Sequence, residues 1–293
     1  GRIPDAAVPS VCTHCTDGCS LYLNLRDGRI VNVLPDVDAP HNQGQLCVRG
    51  QFAYDYVYSK DRLTDPLMRT PDGELRPVGW DEALDLTAAK LADVRRKHGP
   101  AAIGIIASAH CSNEESYLVQ KLARAVLGTN NVDQPGRLCH AANVAALLPA
   151  LGSVAMTNPI ADVALAGCLL VVGSATVESH EITALRVKKA VRNGAKLIVI
   201  DPRRTSLERF AYLYLQPRPG TDLALLNAML KVIVDEQLYD AAYVAERCEG
   251  FAGLAASLHE YDPQRASEIT GVPAEDIVAA ARVYASGGSD PRY

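Results

Sequence analysis

Four of the eight cysteines in this chain, Cys12, Cys15, Cys19 and Cys47, fall in its first 47 residues with the spacing C-x2-C-x3-C-x27-C. Three thiols on one short loop and a fourth returning from a distance force the first sixty residues into a small module built around whatever the sulfurs hold. A disulfide framework is a poor match, because such frameworks belong to short, cysteine-dense secreted domains, and this chain has 293 residues. Structural zinc normally takes two well-separated pairs, each gripping one side of a tetrahedron. A three-plus-one set suits a cubane [4Fe–4S] cluster, which takes one sulfur per iron. The spacing therefore favours iron–sulfur over zinc, with His14 expected beside the cluster or in solvent rather than as a ligand.

Composition narrows the remainder. With 48% hydrophobic and 22% charged residues the chain is ordinary globular protein, long enough for two domains and a substantial core. A formal charge of −5 with no basic tract gives nucleic-acid binding no electrostatic support. No apolar run approaches the ~20 residues that span a bilayer, and no leader opens the chain. The expected location is cytoplasmic, with an exported form left open by a first residue that is Gly rather than Met.

The order of elements predicts an α/β chain: a small amino-terminal [4Fe–4S] domain (1–62), then Rossmann-like parallel-sheet segments over 63–134 and 135–293. In "CSLYLNLRDGRIVNVLP" (19–35) two alternating runs flank Asp27-Gly28, a tight-hairpin signal. A helix starts near Trp80, repeats Leu84, Ala88 and Leu91, and stops at Gly99-Pro100. "AAIGIIAS" (101–108) reads as a buried parallel strand. A helix opening at Asn113 puts Leu118, Leu122 and Val126 on one face and closes at Gly128. Strand, helix and strand follow at 168–174, 179–194 and 196–201, then a helix from Thr221 to Glu236 burying Leu225, Met229 and Ile233. Cys111, Cys168 and Cys248 are expected to be buried or partly buried thiols, and the closing "ASGGSDPRY" to fray.

"GRLCHAANVAAL" (136–147) places Cys139 directly before His140. Alone the pair decides nothing, since a lone Cys is more often a small buried hydrophobe than a ligand. Its context is more specific. The cysteine spacing followed by "CVRGQFAYDYVYSKDRLTDPLMR" resembles the amino-terminal iron–sulfur domain of the molybdopterin-guanine-dinucleotide oxidoreductases. "NEESYLVQKLARAVLGTNNVD" and "RLCHAANVAAL" resemble the formate dehydrogenase branch, and the likeness runs over essentially the whole chain.

That resemblance implies a bis-molybdopterin guanine dinucleotide with molybdenum or tungsten, ligated by Cys139, with His140 and Arg137 beside it. A thiolate is a soft ligand suited to such a metal, and an imidazole can move a proton near neutral pH. Formate or CO2 would be the substrate, and electrons would leave through the cluster at Cys12, Cys15, Cys19 and Cys47. The dinucleotide needs backbone amides and carboxylates at strand ends. Gly173, Glu178 and His180, then Asp201 and Arg203, then Gly220 and Asp222 stand in such places. For Asp222 a plain dipole-stabilising carboxylate is the competing reading.

Three departures weigh against the enzyme. Arg49 replaces the lysine common two positions after the fourth cysteine, Ala175 replaces an asparagine, and the chain ends at Tyr293, less than half the length of the family's catalytic subunits. The expected partners are iron–sulfur or NAD-linked electron-transfer subunits, with a continuation or second chain completing the cofactor pocket. The alternative is an electron-carrying scaffold similar to the large iron–sulfur subunit of respiratory NADH dehydrogenase, which has no molybdenum or tungsten site.

Overall fold

Strand β1 (Ala6–Val11), β2 (Ser20–Arg26) and β3 (Arg29–Pro35) form an antiparallel sheet in that order. They belong to a computed structural model that describes residues 3–289; the last residues of the tail expected to fray lie outside it. The β2–β3 turn is the expected one: Asp27 (φ 51°) and Gly28 (φ 71°) both take the left-handed conformation that a two-residue hairpin demands. Sequence reasoning did not find β1. It carries Pro9, opposite Tyr22, and it tolerates a residue without an N–H because it is an edge strand.

Helix α1 (Val48–Phe52) follows Cys47 directly. A short hairpin of β4 (Leu67–Arg69) and β5 (Leu75–Pro77) leads to α2 (Trp80–His98), which stops where Gly99 turns to φ 79° ahead of Pro100. Strand β6 (Ile105–Ile106) pairs in parallel with β7 (Val132–Asp133). Between them lies α3 (Asn113–Lys121), begun by a capping box: Glu115 N–H donates to Ser112 Oγ (3.1 Å) and Ser112 N–H to Glu115 Oε2 (2.7 Å). The short α4 (Gly136–Cys139) and α5 (Ala141–Leu151) follow.

The second half matches its expected alternation closely. β8 (Cys168–Val172), α6 (Thr176–Ser179), α7 (Glu181–Arg192), β9 (Lys196–Ile200), β10 (Leu213–Leu215) and α8 (Asp222–Asp235) precede four more helices: α9 (Ala241–Arg247), α10 (Phe251–Ser257), α11 (Pro263–Thr270) and α12 (Ala274–Ala285). The sheet order is β10-β9-β8, all parallel. Ile198 and Ile200 pack with Leu225, Met229 and Ile277 on one side of the sheet, and Leu197 and Val199 with Val187 and Leu207 on the other. β9 is thus buried on both faces, which explains its unbroken apolar run. Leu225→Ala should cost about 2–5 kcal/mol in denaturant unfolding, whereas Leu223→Ala, at a position 68% exposed, should stay within about 0.5 kcal/mol.

The middle of the chain departs from expectation. "AAIGIIAS" forms only two paired residues, and Ile106 is 85% exposed. No residue of α2 is buried, and Leu84 is 59% exposed. After Lys121 the helix widens to a π-helical run over Leu122–Leu127, closed by Gly128 at φ 78°. The added residue per turn moves the inward face one position on. Ala123 and Leu127 are buried there, while the expected Leu118, Leu122 and Val126 are exposed.

Candidate functional site

The loop from Cys12 to Cys19 closes on itself through a hydrogen bond from Cys12 N–H to Cys19 O (2.9 Å). Gly18, at φ 62°, makes the turn that brings the third thiol back. Two neighbours fasten the segment leading to Cys47 onto this loop. Asn42, fully buried, accepts from Ser20 N–H (3.1 Å) and donates to Ser20 O (3.1 Å) and Gln45 O (3.0 Å). His41 Nε2 donates to Gly18 O (2.6 Å). Gly50 of α1 faces Cys12, where an added Cβ would lie 3.5 Å from its sulfur.

No cysteine is in a disulfide. Burial first, then the charges of Asp17, Cys12, Cys15 and Cys47, push the Cys19 thiol up to about 12. Burial also raises Cys15 against a lowering hydrogen bond from the Asp17 backbone, the charges of Asp17 and Cys12 adding to the rise and Arg49 opposing it. The four thiols therefore share one electrostatic neighbourhood. Among the described residues no three His, Cys, Asp or Glu side chains converge as a single ion requires. An all-thiol set of four, gathered but not converging on one point, has the chemistry to hold a cubane with one sulfur per iron. His14 stacks edge-on against Tyr56.

The cysteine loop meets the second α/β segment directly. Thr16 Oγ1 lies 3.0 Å from His180 Nε2, and Thr183 Oγ1 donates to Asp17 Oδ1 (2.7 Å). Arg49 Nη2 donates to the carbonyls of Glu178 (3.2 Å) and Ser179 (3.5 Å). Arg186, buried in α7, donates to His41 O (3.2 Å). His110 Nδ1 lies 3.0 Å from Thr13 O. Of these contacts sequence reasoning picked out only Arg49, Glu178 and His180; Thr16, Asp17, His41, Thr183 and Arg186 carried no local signal.

The residues expected to hold a dinucleotide stand at the carboxyl ends of parallel strands. Gly173 (φ 58°) follows β8 and donates to Ile200 O (2.8 Å). Asp201, nearly buried after β9, accepts from Arg203 N–H (2.8 Å), with Arg203 Nε 4.0 Å away. Glu178 accepts a hydrogen bond from Ser206, which holds its carboxyl below the ordinary range with help from Arg203. Gly220 (φ 82°) and Thr221 precede Asp222 in the first turn of α8. This edge, where parallel strands end and helices begin, is where α/β folds bind nucleotides.

Cys139 and His140 lie elsewhere. Both are exposed, at the junction of α4 and α5, and His140 Nε2 is 3.4 Å from Val154 O. Among the described residues no hydrogen bond or ion pair joins them to the strand-end residues. Arg137, expected to offer a free positive charge, is instead paired with Asp133 (2.8 Å), its i−4 neighbour, and holds that carboxyl below its ordinary value. A cleft of about 530 Å³ opens at the ends of β6 and β7, lined by Ser108, Cys111, Asn113, Arg124 and Asp133. Cys111 and Cys168 are part-buried as expected, but Cys248 is exposed, because α9 ends there on the surface.

A thiol-rich antiparallel module joined to parallel α/β layers defines a class of redox proteins, and two family models cover the chain accordingly. The molybdopterin oxidoreductase Fe4S4 domain matches residues 5–59 and molybdopterin oxidoreductase matches residues 62–282. The chain belongs to the molybdopterin oxidoreductase family, and its cofactors are a [4Fe–4S] cluster and a molybdopterin with molybdenum or tungsten. It is 42% identical over 277 residues to the F420-dependent formate dehydrogenase subunit alpha of Methanocaldococcus jannaschii, covering 94% of this chain and 40% of that one. Formate dehydrogenase H of Escherichia coli is 41% identical over 289 residues, covering 96% and 40%. Among solved structures, acetylene hydratase from Pelobacter acetylenicus superposes with a TM-score of 0.84 at 29% identity, covering 96% of this chain and 39% of the other. The chain thus spans about 40% of the length of the curated relatives it matches. No helix among the described residues is long and apolar enough to cross a membrane.

Proposed function

We propose that this chain supplies the amino-terminal part of a formate dehydrogenase catalytic subunit, converting formate to CO2, a proton and two electrons, or the reverse. The observation that carries this reading is the likeness to formate dehydrogenase subunits along nearly the whole chain, together with a Cys139-His140 pair on the surface. When bound, the metal–pterin centre supplies the two-electron acceptor and the cubane the outlet for single electrons.

The chain's own residues have these roles. Cys12, Cys15, Cys19 and Cys47 hold the cubane. Cys139 offers a soft thiolate to the molybdenum or tungsten, and His140 takes up or returns the substrate proton. Arg137 orients the anionic substrate once its pairing with Asp133 is shared. Arg49, which donates to the carbonyls of Glu178 and Ser179, would supply positive charge between the cysteine loop and the residues that would hold the pterin dinucleotide. Gly173, Glu178, His180, Asp201, Arg203, Gly220 and Asp222 receive one guanine dinucleotide of the bis-pterin cofactor. Exposed Cys139 needs a cover, which a continuation of the chain or a second chain provides, and an iron–sulfur or NAD-linked subunit accepts the electrons.

Metal analysis of the full-length, anaerobically isolated protein tests the reading. It should find about four irons per chain, extractable pterin, and molybdenum or tungsten. Iron without either metal would leave only the electron-carrying scaffold, and colourless protein would remove the cluster as well.

A further inference from the structure

Asp17 lies inside the cysteine loop, between Cys15 and Cys19, and is only 6% exposed. Its Oδ1 accepts from Thr183 Oγ1 at 2.7 Å, while Oδ2 has no hydrogen-bond partner. Buried carboxylates are normally neutralised by a cation, yet among the described residues no Lys, Arg or His side chain forms an ion pair with this one. The Arg49 and Arg186 guanidiniums donate instead to neutral carbonyls, Arg49 to Glu178 and Ser179 and Arg186 to His41. The carboxylate is therefore held inside the cysteine loop without a direct ion pair. A hydroxyl from α7, 166 residues away in sequence, sets its position against the loop.

We propose that Asp17, held by Thr183, tunes the reduction potential of the cluster carried by the four cysteines, keeping that potential low. The inference rests on the assignment of those cysteines to a cubane. Reduction adds one electron and no proton, so the cluster with its four thiolates becomes one charge more negative. A neighbouring carboxylate in a low-dielectric setting opposes that change, and net charge and solvent exposure are among the terms that set iron–sulfur potentials. A lower potential makes the cluster a stronger reductant towards whatever receives the electron.

Asp17→Asn tests this in the full-length holoenzyme, because it removes the charge but keeps the shape and the acceptor for Thr183. A redox titration followed by the magnetic resonance signal of the reduced cluster should move to more positive potential. At the wild-type midpoint the ratio of reduced to oxidised cluster should rise about tenfold, equivalent to 59 mV for one electron. Because the charge is buried, the shift should persist at about 0.5 M salt, where surface charges are screened within a few ångströms. An unmoved midpoint with the signal intact would overturn the inference, and so would a shift abolished by salt. Loss of the cluster from both Asp17→Asn and Asp17→Ser would overturn it too, since the carboxylate would then serve assembly. A wild-type enzyme with no such signal would instead remove the cubane assignment itself.

Discussion

Cys139→Ser should abolish the formate oxidation proposed for the full-length protein while leaving the magnetic resonance signal of the reduced [4Fe–4S] cluster unchanged. Cys139 ends α4 on the exposed surface and supports no hydrophobic cluster, so its replacement should alter stability by less than about 0.5 kcal/mol. The chemical change is much larger. A serine hydroxyl is a hard, weakly acidic donor where the metal calls for a soft sulfur. Losses on removing a group that acts only in the chemical step commonly exceed ~10³-fold and fall on kcat. The matching control is Cys248→Ser, also exposed but at the end of α9, which should keep turnover within about twofold. Measuring turnover, iron content and the cluster signal on one preparation separates a lost metal ligand from a damaged fold. Unaltered turnover would take Cys139 out of the mechanism.

The parts of the fold legible in the sequence are those whose signals are local and whose partners lie within this span. The Asp27-Gly28 hairpin needs only two residues able to adopt positive φ, and both do. β8, β9, α7 and α8 read correctly because their apolar faces find one another: Ile198 and Ile200 meet α8 and α12, and Val187 meets Leu197. The middle of the chain read poorly for the opposite reason. Leu84 of α2 and Leu118 of α3 carry helical periodicity but are each 59% exposed. The π-helical run then moved burial from Leu122 and Val126 to Ala123 and Leu127, a shift that no 3.6-residue pattern contains.

The same distinction governs the site. Cysteine spacing announces its chemistry because three of the four thiols are neighbours in sequence. The supports of that loop do not. Thr183 meets Asp17 across 166 residues, His180 meets Thr16 across 164, and Arg49 meets the Glu178 carbonyl across 129. Thr16, Asp17 and Thr183 are unremarkable polar side chains until the α/β layer folds against the small module, and Arg49, Glu178 and His180, though marked by the sequence, are not marked for these contacts. Their positions follow from tertiary packing, which composition and periodicity do not encode.

Cys19→Ala should strip the cluster from the protein, taking iron from about four per chain to near zero and abolishing electron transfer to an external acceptor. Cys19 is the innermost of the four, 5% exposed, with its thiol raised from 9.0 to about 12 chiefly by burial. Free of iron it is a neutral, buried hydrophobe that alanine replaces at small cost, so the variant should remain folded. The raised value also gives the cluster-free wild type a pH dependence of definite sign. Folding favours the neutral thiol, so this contribution to stability is fully present below pH 9.0 and is lost as pH climbs from there towards about 12. Thermal melts of cluster-free protein should therefore fall on going from pH 8 to pH 10 and beyond, and Cys19→Ala should flatten that decline. The loaded protein should resist it, because metal binding has already taken the proton and the thiolate is the bound form. If Cys19→Ala retained full iron, or if the cluster-free melt were flat across that range, Cys19 would not be the buried ligand that closes this loop.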